Sequence, residues 1–245
     1  GVRKYNQWLP VYNYSPTPSY GGLDSYDNFS SNTYGESLNK CKIDCDKYGC
    51  TIVGEFDKQA WTSTKYGVAG ITNGYIFPSG QNDAFAMRFN ALDTIVYCRA
   101  VGGTSYDGFT NVKYTGDNDV ALIGYSASTQ TANLVYLAPS SNEYFNGIPA
   151  SSSAKMLINK FDTIGNKKWG TLFGNGNNKN VPWGITHDGR NYYISGVTKA
   201  GMSFPVSNPV GTYNKTSSQG KTDGFLLSFD LTNHLLWNTY HGGDD

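Results

Sequence analysis

Charge is scarce in this chain and has no preferred sign. Nineteen basic and 19 acidic side chains cancel, and charged residues make up only 16% of 245. With no basic stripe there is no row of donors for a phosphate backbone, which points away from nucleic acid. Long apolar runs are also missing. Nothing approaches the roughly 18 consecutive apolar residues of a membrane-spanning helix. Histidine is rare: His187, His234 and His241 are all there is. No HExxH, nucleophile elbow, Walker loop or dinucleotide glycine fingerprint occurs, so no motif announces a catalytic centre and no cofactor is expected. Lys and Glu are few and Ala-rich stretches absent, which removes the usual material of helices. The chain starts at Gly1 rather than Met, as expected of a processed form or a segment of a longer protein.

What is abundant is turn and strand material. Nineteen Tyr and 29 Gly, with many Asn, Ser and Thr, describe an all-β protein with polar loops. The strands come in a repeated phrase. Phe89, Phe161 and Phe229 are spaced by 72 and 68 residues. Eight residues after each comes Tyr97, Trp169 or Trp237, and five after that Gly102, Gly174 or Gly242. A second set of landmarks, Gly54, Gly124 and Gly196, is spaced by 70 and 72. Each of these closes a strand, a polar turn and a second strand. The turns are Asp46–Gly49, Gly116–Asp119 and Asp188–Asn191, a hairpin signature. One unit is therefore a hairpin, a longer polar loop and two further strands. Four short antiparallel strands at a fixed period are the pattern of a β-propeller blade.

The words DAFAMRF from Asp83, MLINKF from Met156 and DGFLLSF from Asp223 carry a closer likeness. With Phe77-Pro78 and Phe204-Pro205 in the connecting loops, most of residues 35–245 resembles the SBBP family of β-propeller repeats. The middle unit has only Ile148-Pro149 at that place. The resemblance implies the blade fold and no active site. Units of this length imply inserted loops. The expected fold class is all-β, with about three four-stranded blades forming an incomplete ring or a segment of a larger array. The expected layout is an N-terminal outer strand and loop at 1–22 and blades at 23–102, 103–174 and 175–245. Closed propellers have about four to eight blades. Three leave apolar faces and strand edges that a solitary soluble protein avoids. The expected partners are copies of the same chain or further blades.

Three of the four cysteines crowd one hairpin. Cys45 and Cys50 face each other across its turn, within disulfide reach, and are expected to pair. Cys41 and Cys98 are left as a second candidate pair. The alternative is buried thiols; zinc lacks a CxxC or paired histidines. By the same spacing, Thr115 faces Val120 and His187 faces Tyr192 in the other units. Even cysteine number and three Asn-X-Ser/Thr triplets, at Asn13, Asn28 and Asn214, point to an extracellular, oxidising setting. All three triplets fall in stretches read as loop or edge, where an acceptor must be exposed. Asn214 is the best placed, in TYNKTSSQGKTDG; Pro16 disfavours Asn13.

Carboxylates gather at the hairpin turns: Asp44 with Asp46, Asp117 with Asp119, and Asp188. Such pairs suit Ca²⁺, yet lack further ligands, and Asp is what tight turns require anyway. Glu36, Glu55 and Glu143 have no distinguishing neighbours as a glycosidase pair. Tyr97, Trp169 and Trp237 repeat in phase and are expected between blades. The out-of-phase Trp61, Trp183, Tyr144 and Phe145 are the residues a sugar-binding rim would use. The leading expectation is a noncatalytic, extracellular structural or adhesive module, self-assembling into a surface appendage, fibril or coat. The alternatives are a glycan- or ligand-binding propeller domain and a secreted glycoside hydrolase or lyase.

Overall fold

Twelve strands make three sheets of four. In the computed structural model the described residues are 41–57, 82–116, 118–128, 143–146, 154–174, 180–199, 211, 213, 215–217 and 222–243. The strands are β1 (Lys42–Asp46), β2 (Gly49–Asp57), β3 (Asn82–Asn90), β4 (Ile95–Val101), β5 (Asp107–Tyr114), β6 (Asp119–Ser126), β7 (Lys155–Asp162), β8 (Lys167–Phe173), β9 (Asn180–His187), β10 (Asn191–Lys199), β11 (Thr222–Asp230) and β12 (Leu235–His241). Each sheet runs in chain order, β1 to β4, β5 to β8 and β9 to β12, every pair antiparallel. No helix appears among the described residues. All three sheets lie in one compact unit, residues 34–245. The expected outer strand at 1–22 and the Phe-Pro, or Ile-Pro, elements of the connecting loops lie outside the described residues.

Local chemistry explains why the chain turns back where it does. Asn90, Asp162 and Asp230 end the third strands, and each side chain accepts from the backbone two and four residues on. The distances are 2.9 and 3.0 Å at Asn90, 3.0 and 2.7 Å at Asp162, and 2.9 and 2.9 Å at Asp230. Short polar side chains of this kind favour turns because they satisfy backbone donors locally. Three residues further on, Asp93, Gly165 and Asn233 all have left-handed backbones, with φ of 60°, 89° and 69°. The ladder shifts register at the same point each time, beside Phe89, Phe161 and Phe229. The same hairpin is thus built three times.

The sheets follow one another face to face. β1, β2 and β3 pack on β5, and β5, β6 and β7 pack on β9. Alternation along each strand assigns its residues to the two faces. Val53, Ala84, Ala86 and Tyr97 of the first sheet meet Leu122, Leu157, Phe161 and Leu172 of the second. Ile123, Met156, Ile158 and Trp169 on the second sheet's other face meet Tyr192, Ile194, Phe225 and Phe229 of the third. Each large side chain so buried contributes about 1.5–3 kcal/mol. The three sheets form an open array of blade-like units and do not close on themselves.

One register differs from the spacing-based expectation. Tyr114, not Thr115, stands opposite Val120. The second hairpin's turn is one residue longer, closed by Thr115 N donating to Asp119 O at 3.1 Å. His187 does face Tyr192.

Candidate functional site

The chemistry-bearing residues lie mainly along the two seams between sheets and at the hairpin turns. The in-phase aromatics define the seams. The Tyr97 ring stacks on Phe161, with centroids 6.3 Å apart, and Trp169 meets Phe229 edge-on at 5.8 Å. So the fourth-strand aromatic of one sheet is set against the third-strand Phe of the next. Burial raises the Tyr97 phenol to about 12. Gly165 sits under that ring; a methyl there would come within 2.6 Å of it. Trp237 holds the same position on the third sheet, on the face away from the second sheet, and is half-buried.

Polar groups reinforce the first seam. Asp44 on β1 pairs with Lys113 on β5 at 3.0 Å and accepts Tyr114 N at 2.8 Å. Tyr114 carries its ring under the Arg88 guanidinium, 4.9 Å from the centroid, and its hydroxyl lies 2.9 Å from Thr51 Oγ1. Arg88 also reaches Asp46 at 3.3 Å. Glu55 accepts a hydrogen bond from the Tyr125 hydroxyl. At the second seam, Thr110 and Asn111 donate to the carbonyls of Pro182 and Trp183 at 2.6 and 2.8 Å. Buried Lys160 lies 3.3 Å from Asp119 and donates to Leu231 O at 2.7 Å, and half-exposed Lys168 joins Asp119 at 2.8 Å. Arg88 and Lys160 are in phase, a signal the sequence carried; their partners, set by how the sheets stack, were not readable from it.

The turn carboxylates are engaged by the protein itself. Asp46 accepts Tyr48 N at 2.8 Å. Asp188 accepts from Arg190 N, Asn191 N and the Tyr193 hydroxyl at 2.9, 2.8 and 2.9 Å. Its hydrogen bonds, first those to the backbone at Asn191 and Arg190, hold its pKa at about 2. Burial pushes Asp230 upward, but bonds from His234 and Thr232 outweigh it and leave the carboxyl below its usual value. Asp117 lies outside the described residues. Among the described residues no group of three or more His, Cys, Asp or Glu is placed to hold a metal ion, and no helix is long and apolar enough to cross a membrane.

Cys45 and Cys50 form a disulfide, their Cα atoms 4.1 Å apart as a directly facing pair of the first hairpin. Cys41 and Cys98 remain thiols, which corrects the second candidate pair. Cys41 leads into β1 and Cys98 lies on β4, at opposite edges of one sheet. Three strand spacings of ~4.8 Å separate those edges, about twice the reach of a disulfide. The acceptors Asn13, Asn28 and Asn214 lie outside the described residues, as do Glu36 and Trp61.

Glu55 and Glu143 are not brought together. Glu55 serves the first seam, whereas Glu143 accepts from Asn233 at 2.7 Å beside the second. His187 Nδ1 accepts Gly189 N at 3.2 Å, His234 Nδ1 lies 2.7 Å from Asp230 Oδ2, and His241 is exposed at the end of β12. The rim aromatics are dispersed too. Tyr144 is packed on Phe173, 5.0 Å between centroids, and burial raises its phenol. Phe145 is exposed, and Trp183 is half-buried on β9. Exposed Tyr48 belongs to the turn end of the array, and exposed Tyr213 to the connection at the opposite end.

The geometry defines a class by architecture: an open stack of blade-like antiparallel sheets joined by aromatic and ionic seams. The sequence matches no family model, and no curated protein matches it.

Proposed function

We propose that the chain is an SBBP-type β-propeller repeat module of the cell exterior, structural or adhesive in role, and the building unit of a self-assembling appendage, fibril or coat. One observation carries this reading. The first sheet presents an exposed apolar strip, with Ile43, Ile52, Phe89 and Ile95 partly or largely exposed beside the buried Phe85, Met87 and Cys98 of the same face, while the matching faces of the other two sheets are covered by the preceding sheet. An array with an apolar end face gains by burying it against another unit. The involvement of the turn and seam carboxylates in protein contacts supports a scaffold rather than a catalyst. The Cys45–Cys50 disulfide suits an oxidising exterior.

The test is direct. Purified full chain, viewed by negative-stain electron microscopy and run in sedimentation velocity across concentrations, is expected to give multimers that grow with concentration. Dispersed single particles at every concentration would overturn the assembly reading. Protease digestion of intact cells is expected to remove the protein; full protection would overturn the exterior location.

A further inference from the structure

The two seams within the chain specify what a third would look like. In both, the fourth-strand aromatic of one sheet lies on the third-strand Phe of the next, Tyr97 on Phe161 and Trp169 on Phe229. Among the described residues, the members of this series without such a ring contact are Trp237, on the third sheet's face away from the second, and Phe89, on the first sheet's face away from the second. Burial marks the difference. Phe161 and Phe229 are 2% and 0% exposed and Tyr97 and Trp169 are 1%, whereas Phe89 and Trp237 are half-buried. Ile43 is 59% exposed where its counterpart in the second sheet, Val112, is 2%. Phe89 and Ile52 are the partly exposed margin of an apolar cluster on that face whose Phe85, Met87 and Cys98 are buried.

We propose that the third sheet of one copy docks on the first sheet of a second copy, with Trp237 set against Phe89, as an intermolecular repetition of the internal seams. This rests on the assembly reading and names its contact surface. The composition of the third sheet's face sets its strength. Ser195, Gly224 and His241 stand where the second sheet presents Ile123, Met156 and Phe173 to its neighbour. Tyr193, Val197, Leu226 and Trp237 remain as its apolar side chains. Less apolar area is removed from water than at either internal seam. The joint between copies is therefore weaker than those within a copy and reversible, with Trp237 as its central anchor. The contact is head-to-tail, which makes a closed ring if the rotation closes and an extended array if it does not.

The experiment uses the full chain. Trp237→benzoylphenylalanine is prepared in normal and isotopically heavy forms, mixed, irradiated and mapped by mass spectrometry. Crosslinks joining light to heavy chains, ending on β2 or β3 near Phe89, are the expected result. Crosslinks only within one chain, or to a heterologous protein in an extract, overturn the proposal. In parallel, Trp237→Ala is expected to weaken self-association at least tenfold in sedimentation equilibrium, and Phe89→Arg to abolish it. Should Phe89→Arg fail to fold, Trp237→Ala and the crosslink carry the test. If the wild type multimerises but Trp237→Ala does so equally well, docking through Trp237 is wrong while the assembly reading stands. If the wild type never multimerises, both fall.

Discussion

Asp107 allows the energetics of this fold to be tested at one atom pair. It opens β5 fully buried, with its Oδ2 accepting Gly103 N at 2.8 Å and Ser128 Oγ at 2.6 Å. Burial raises its pKa from 3.8 to about 6, against the lowering effect of those hydrogen bonds and of Ser126. The folded protein therefore holds a proton between pH 4 and 6 that the unfolded chain has released. Stability contributed by this group is present below about pH 4 and is lost as pH rises through about 6. A shift of about two units corresponds to ~3 kcal/mol. The third repeat carries Asn180 at the corresponding strand position, facing Thr198 as Asp107 faces Ser126. Asp107→Asn is thus a substitution the architecture already accommodates. Unfolding free energies of both proteins, from urea titrations followed by tryptophan fluorescence between pH 3.5 and 7.5, give the difference mutant minus wild type. That difference is expected to rise by about 3 kcal/mol from pH 4 to 7 and to level off at both ends. Its absolute offset depends on how well the amide replaces two accepted hydrogen bonds, about 1 kcal/mol each; its pH dependence does not. Parallel profiles, or a difference that falls with pH, would refute the reasoning.

Two further expectations concern the seams. Gly165→Ala adds a methyl at φ 89° and 2.6 Å from the Tyr97 ring, so a loss of about 2–4 kcal/mol is expected in denaturant unfolding; a loss under half that would mean the Tyr97 ring yields freely. Lys160 and Lys168 both pair with Asp119, but their side chains are 3% and 50% exposed. Lys160→Ala is expected to cost about 3 kcal/mol and Lys168→Ala under about 1 kcal/mol, with equal losses counting against burial as the cause.

Much of the fold was legible because its rules are local. The aromatic and glycine landmarks keep phase, and each third strand ends in Asn90, Asp162 or Asp230, whose side chain closes its own turn. A residue's alternation along a strand also announces which sheet face it takes, so Cys45 and Cys50 could be seen to oppose each other across a short turn. The failures share a cause. Thr115 was set opposite Val120 because spacing cannot see one extra residue in a turn, and Cys41 was offered to Cys98 because sequence does not reveal that two strands intervene.

By itself, then, the order of residues determined the strands, the turns and their threefold recurrence, since backbone hydrogen bonding and side-chain alternation act over a few residues. Only the tertiary structure decided what those strands meet. Asp44 finds Lys113, Glu55 finds Tyr125 and Tyr97 finds Phe161 across about 65–70 residues of chain. Such partners are chosen by how sheet faces stack and exclude water, a property of the assembled sheets that no short stretch encodes.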